Sequence, residues 1–239
     1  MSSIASKSAD APTQAVFLNE WHIYRKMVDN NYLHHREAYA RLQEILTHEV
    51  HRPFRFLDIA CGDASATLTA LSGTKVAEYA GLDLSEAALQ IAGTTLSELG
   101  VPVRLEQGDF AQLLPQWNEL ADVVWIGLSL HHLVSSGKLQ VMKDVRRILS
   151  NQGKFLIYEN TSPDGEDREG WISRYEHQRT KWIEYTPYES EVMDSHVRAS
   201  DFPETDTSWH ELGRQAGFNR VTERYRSPTD LYRLYAFEG

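Results

Sequence analysis

From Phe54 to Tyr158, short apolar runs alternate with amphipathic stretches, and this alternation restricts the fold more than any other feature of the chain. Phe54 to Ala60 ends in a glycine-containing loop and reads as a buried first strand. Ala64 to Leu71 reads as a helix and Tyr79 to Leu82 as a second strand. Ser85 to Leu99 reads as a helix capped by Ser85 and stopped by Gly100. Val103 to Leu105 is a third strand and Ala121 to Leu128 a strongly apolar fourth. Lys138 to Leu149 is helical, and Gly153 separates it from a fifth strand, Lys154 to Tyr158. Strands alternating with helices at this spacing imply βαβ units and a parallel sheet.

The flanks differ. Val16 to Glu49 is helical in pattern, in two pieces. Asn160 to Ser200 carries many aromatics and no strand signal, so it is expected to be a helical insertion. Ser208 to Ala216 is a helix stopped by Gly217, and Val221 to Tyr225 and Tyr232 to Phe237 form a closing hairpin. With 239 residues and 41% hydrophobic content, the chain suits one α/β domain over 15–239, with a lid at 15–50, an insertion at 160–200 and a disordered tail at 1–14. No apolar run approaches the ~20 residues of a membrane span. The net charge of −10, without a basic stripe, argues against a nucleic-acid partner. Cys61 is the only cysteine, which excludes an intrachain disulfide and a cysteine metal cluster and fits a reducing cytoplasm.

Ligands of open parallel sheets bind at the carboxyl ends of the strands, where strand order reverses. Polar features follow four successive strands here: Asp58 to Asp63, Asp83, Asp109, and Gly127 to His132. An acid after one strand is commonly a helix cap, but four in order converge on one crevice. Asp58-x-Ala60-x-Gly62 resembles the first motif of class I S-adenosylmethionine-dependent methyltransferases. Gly81 to Ser85 resembles their second motif, Gly108-Asp109-Phe110 their third, and Ile126 to Leu133 the segment after strand four in small-molecule members. Asp201 to Thr205, followed by Ala216-Gly217-Phe218, resembles their tail.

The resemblance covers about Phe54 to Gly239. It implies a Rossmann-like, doubly wound, seven-stranded sheet with an antiparallel C-terminal strand and a helical cap. It also implies S-adenosylmethionine as cofactor and methyl transfer to N or O of a small-molecule acceptor. On this reading Asp58, Ala60, Gly62 and Asp63 surround the methionine part, and Asp83 accepts from both ribose hydroxyls. Gly108, Asp109 and Phe110 read the adenine, Leu84 and Phe110 sandwich it, Gly127 also contacts the cofactor, and His131 and His132 lie near the methyl group. Ala60 and Ala64 replace the usual first and third glycines, so the loop is expected to adopt conformations open to alanine. A dinucleotide site fits worse: the register reads Ala60-x-Gly62-x-x-Ser65, and Asp63 would repel a phosphate.

For the acceptor, Tyr24, Val28, Asn31, His35, Ala38 and Leu42 are expected on one helical stripe, with Tyr24 lidding the cofactor and Asn31 and His35 facing the acceptor. His131 or His132 is the candidate general base. Glu159, Asn160, Trp171, Tyr175, His196 and Arg198 are candidate acceptor contacts. No metal is expected, because no carboxylate–His cluster accompanies the His131–His132 pair in the sequence. A protein that binds the cofactor without catalysis, or another transferase using it, is the alternative. The sequence leaves the oligomeric state open.

Overall fold

The computed structural model describes residues 21–239; the expected tail at 1–14 and the start of the lid lie outside them. Two helices, α1 (Trp21–Asp29) and α2 (His35–Glu49), precede the sheet. There follow β1 (Phe54–Ile59), α3 (Ser65–Leu71), β2 (Val76–Asp83), α4 (Glu86–Leu96), β3 (Val103–Gln107), the short α5 (Phe110–Leu113) and β4 (Ala121–Gly127). Then come α6 (Ser135–Ile148), β5 (Leu149–Ser162), α7 (Arg168–Arg179), α8 (Pro187–Ser200), β6 (Glu204–Thr205), α9 (Asp206–Ala216), β7 (Arg220–Arg226) and β8 (Tyr232–Glu238).

The strand order is β3-β2-β1-β4-β5-β8-β7, with the two-residue β6 beside β5. β1 to β5 are parallel, and β8 closes the sheet antiparallel to both β5 and β7. The order reverses between β1 and β4, which puts the crevice there. Successive side chains point to opposite faces, so Phe56, Trp125 and Tyr158 join α1, α2 and the insertion in one core, while Leu57, Ile126 and Ile157 pack with α6 and α9 in the other. Helices thus cover both faces, which explains the apolar runs Val123 to Ile126 in β4 and Phe155 to Tyr158 in β5.

Two expectations need correction. β5 begins at Leu149, runs through Gly153, and continues four residues past Tyr158 to Ser162. Its extension is held by pairing with β8, Glu159 opposite Arg233 and Asn160 opposite Tyr232, and a hairpin 70 residues away leaves no local periodicity to read. Asn160 therefore belongs to the strand, and the insertion is the pair α7 and α8. The N-terminal stripe also does not lie on one helix. Asn31 and His34 adopt positive φ (55° and 54°) and break the chain between α1 and α2. Asn31 stabilises this corner, donating to Glu37 at 2.8 Å and accepting from the Arg36 amide at 3.0 Å.

The lid and the insertion pack on each other. Tyr32 stacks on Trp182 with ring centroids 4.8 Å apart, the Tyr185 hydroxyl donates to the Ile23 carbonyl, and Lys26 pairs with Glu189 at 2.7 Å. His35 is buried beside them, and burial first, then neighbouring His34, lowers its pKa to about 4 against an opposing pull from Glu37. Between pH 6.5 and 4 the unfolded chain binds a proton at this residue that the folded chain refuses. Its contribution is therefore present above pH 6.5 and lost as pH falls towards 4, by up to about 3 kcal/mol. The stability advantage of wild type over His35→Gln, measured by urea unfolding, is expected to shrink by that order between pH 7 and pH 4. Parallel pH dependence in the two proteins would refute this.

Candidate active site

The loop after β1 makes three left-handed residues in five: Ala60 (φ 57°), Gly62 (φ 56°) and Ala64 (φ 56°). This corrects the expectation that the loop avoids positive φ at its alanines. An alanine in this region costs about 1–2 kcal/mol, so the surroundings must hold it there. They do so through backbone bonds from Cys61 to the Leu82 carbonyl and from Ala64 to the Cys61 carbonyl, both 3.0 Å. Side chains add to this. The Gly62 amide donates to Asp83 Oδ2 at 2.8 Å, and the Ser85 amide donates to Asp83 Oδ1 at 2.8 Å. Asp83, at the end of β2, thus ties the β1 loop to the start of α4. Gly81 lets the strands approach, since a Cβ there would meet Cys61 Sγ at 2.9 Å.

Asp58 is turned inward. It is 1% exposed, and its Oδ2 accepts from Thr67 Oγ1 at 2.7 Å and from the Tyr79 hydroxyl at 2.8 Å. Burial raises its pKa to about 7 against the pull of these two donors. Asp63 caps the next turn by accepting from the Ser65 amide. After β3, the Gly108 amide donates to the Asp83 carbonyl, and Asp109 caps α5 by accepting from the Ala111 amide at 2.9 Å. Leu84, next to Asp83 in the chain, is 41% exposed, and Phe110, next to Asp109, is half-buried.

After β4, Gly127 leads into Leu128, which also has positive φ (51°) and donates its amide to the Tyr158 carbonyl. The bend aims the next three amides at Glu159 of β5. Ser129 and Leu130 donate to its Oε1 at 2.8 and 2.7 Å, and His131 to its Oε2 at 3.3 Å. His131 Nδ1 also lies 2.8 Å from Oε2. Glu159 is fully buried, and burial lifts its pKa to about 7 while the amides pull it down. Burial drives His131 well below its ordinary value, so the imidazole is neutral at pH 7. Its Nδ1 proton then faces Glu159, which leaves the Nε2 lone pair towards Asp201, 3.8 Å away.

Asp201, just past the end of α8, organises this end of the crevice. Asn160 donates to its Oδ2 at 2.8 Å. His132 Nδ1 lies 3.6 Å and His196 Nε2 4.0 Å from its Oδ1. His131, His132 and Asp201 bring one ligand-capable atom each within 4.8 Å, so the fold supplies a carboxylate beside the histidine pair that the sequence does not. These groups, with Trp171, Tyr175, Tyr232 and Leu128, line a cavity of about 50 Å³. Arg198 stands apart, paired with Glu176 on the exposed side of α7. The side chain of Tyr24 lies outside the described residues, and Asn31 is spent at the helix corner. Among the described residues no helix is long and apolar enough to cross a membrane.

Residues 56–153 match the model of a methyltransferase domain. An uncharacterized methyltransferase of Bacillus subtilis, YcgJ, is 31% identical over 121 residues, 50% of this chain and 46% of its own. The demethylmenaquinone methyltransferase of Lactobacillus johnsonii is 31% identical over 110 residues, 45% of this chain and 44% of its own. The chain therefore spans under half the length of these relatives. In fold it is similar to the plantazolicin methyltransferase BamL, crystallised with a desmethylPZN analog and SAH: TM-score 0.65 at 13% identity, covering 95% and 94% of the two chains. The methyltransferase-domain match thus runs from β1 to the start of β5, and in its strand order and antiparallel β8 the whole described chain is similar in fold to solved methyltransferases.

Proposed function

We propose that the chain transfers a methyl group from S-adenosylmethionine to a nucleophilic N or O atom of a small-molecule acceptor. The observation that carries this reading is Asp83. Each of its oxygens takes one backbone amide and keeps acceptor capacity, and no cationic side chain among the described residues pairs with it. A half-buried carboxylate next to the exposed Leu84, with the half-buried Phe110 after the following strand, suits a ribose diol with an aromatic base beside it. Gly62 and its neighbours line the methionine end, with the Gly108–Phe110 turn at the adenine.

Bound S-adenosylmethionine supplies a methyl group on a sulfonium, already an activated leaving group, so the protein's task is alignment and exclusion of water. Gly127 and Leu128 hold the floor of that path. His131 acts as base through Nε2 and Glu159 as its positioning residue, fixing the tautomer and stabilising the imidazolium that forms. The helical lid and insertion close the site over the acceptor.

The test is calorimetric titration with S-adenosylmethionine and S-adenosylhomocysteine, followed by a methyl-transfer screen over metabolite pools with labelled cofactor. Micromolar binding of both and labelled product are expected. No binding of either at millimolar concentration would defeat the reading. Binding without turnover on any pool would favour a cofactor-binding protein without catalysis.

A further inference from the structure

Three residues that line the 50 Å³ cavity each carry a buried polar atom that makes no hydrogen bond: Asp201 Oδ1, the Tyr175 hydroxyl and the Tyr232 hydroxyl. The three residues are 4%, 2% and 2% exposed. They are electrostatic neighbours, Tyr175 sensing Tyr232 and Asp201, and Tyr232 sensing Asp201. An unsatisfied buried polar atom costs about 1–3 kcal/mol, so three in one small cavity call for a ligand that meets all of them. The remaining wall is aromatic and apolar, with Trp171 stacked on Tyr175 at 5.7 Å and Met27, Leu33 and Met193 nearby.

Charge narrows the ligand. Glu159, Asp201 and Glu204 are buried in this region, and the buried cation that acts on all three is Lys138. Lys138 is committed to Glu204 at 2.9 Å and to the Phe202 carbonyl. Arg168, from α7, binds the Asp201 carbonyl oxygen at 2.6 Å rather than its carboxylate. Burial, with Glu159 adding to it, pushes the Asp201 carboxyl well above the ordinary carboxylate range, so a cation brought to Oδ1 would return it to the ionised form. Three acceptors, a carboxylate among them, framed by aromatic rings, match the three N–H donors of a primary ammonium.

We propose that the methyl acceptor is a primary amine whose ammonium head is received by Asp201, Tyr175 and Tyr232. This deepens the methyl-transfer reading and rests on it. The cavity admits the head and its first carbons, being far below the ~150 Å³ that takes a benzene. The ammonium gives up the N–H held by Asp201 Oδ1, the proton passes to His131 Nε2, 3.8 Å from Oδ1, and the other two N–H bonds stay on Tyr175 and Tyr232. The freed nitrogen lone pair forms the N–CH3 bond as the C–S bond breaks. The sulfur keeps that electron pair as S-adenosylhomocysteine, the product leaves as a secondary ammonium, and His131 returns its proton to solvent.

The experiment compares n-propylammonium with 1-propanol, a pair alike in shape and differing in charge, by calorimetric or NMR titration. Each is run with and without S-adenosylhomocysteine. Saturable millimolar binding of propylammonium is expected, with propanol at least tenfold weaker. Asp201→Asn should lose at least tenfold. Tyr175→Phe and Tyr232→Phe should each lose a few-fold, and because these remove hydroxyls that make no hydrogen bond, both variants should fold. Equal binding of the two probes, no binding of propylammonium, or affinities unmoved by these substitutions would overturn the proposal. So would stoichiometric zinc binding that disappears in Asp201→Asn and that propylammonium does not displace. Failure to bind S-adenosylhomocysteine would remove the methyl-transfer reading and is read separately from the amine titration.

Discussion

Asp83→Ala is expected to weaken S-adenosylmethionine and S-adenosylhomocysteine binding by about 10²- to 10⁴-fold. Hydrogen bonds to a charged group are each worth about 1.5–3 kcal/mol, so losing two to the ribose removes about 3–6 kcal/mol. A second loss adds to this, because the carboxylate also holds the Gly62 and Ser85 amides. Without it the left-handed turn at Ala60, Gly62 and Ala64 loses one of its restraints. Asp83→Asn separates the two effects. Its single amide oxygen can keep one amide bond but cannot accept from both hydroxyls, so its affinity should fall between wild type and alanine. Calorimetry on the three proteins decides the matter. Affinity within threefold of wild type in Asp83→Ala would show that the ribose lies elsewhere.

The parallel sheet was readable because the central strands β1, β4 and β5 are buried on both faces, and burial leaves an apolar run between turn signals. The acids at strand ends were readable for the same reason: each interrupts such a run. What they do was less legible, since the residue type does not say which way a carboxylate turns. Asp58 and Asp83 both lie at the carboxyl ends of strands, yet Asp58 is sealed by Thr67 and Tyr79 while Asp83 stays half-open. At the far end of the crevice the residue types could be singled out, but not their arrangement. Its Asp201, Tyr175 and Tyr232 come from three elements, and only the docking of α7 and α8 against β5 and β8 brings them together. His131 could be singled out for its titration range, but its partner Glu159 is recognisable only once β5 is seen to run beside the bend after β4.

Glu159→Ala should lower turnover at least 100-fold and destabilise the fold by about 3–5 kcal/mol. The side chain is fully buried and accepts from three consecutive amides and one imidazole. Truncation strands those donors, each at about 1–3 kcal/mol, with entering water meeting part of the loss. Leu128 is held at positive φ just before this run, so the bend has little else to keep Ser129 to His131 facing the crevice. Glu159→Gln is the more informative change. It keeps the volume and one acceptor oxygen, which can serve the loop or the imidazole but not both, and its NH2 turns a donor towards a donor. The Gln variant should fold with a loss of about 1–2 kcal/mol, bind S-adenosylhomocysteine as wild type does, and lose about 10²-fold in kcat, the usual scale of general base catalysis. A change confined to KM would place Glu159 in acceptor binding instead. Wild-type kcat would mean that the His131 tautomer does not depend on Glu159. The loop and the base share one carboxylate, so a single substitution that spares cofactor affinity and removes turnover is the signature expected of a residue that acts through its neighbour.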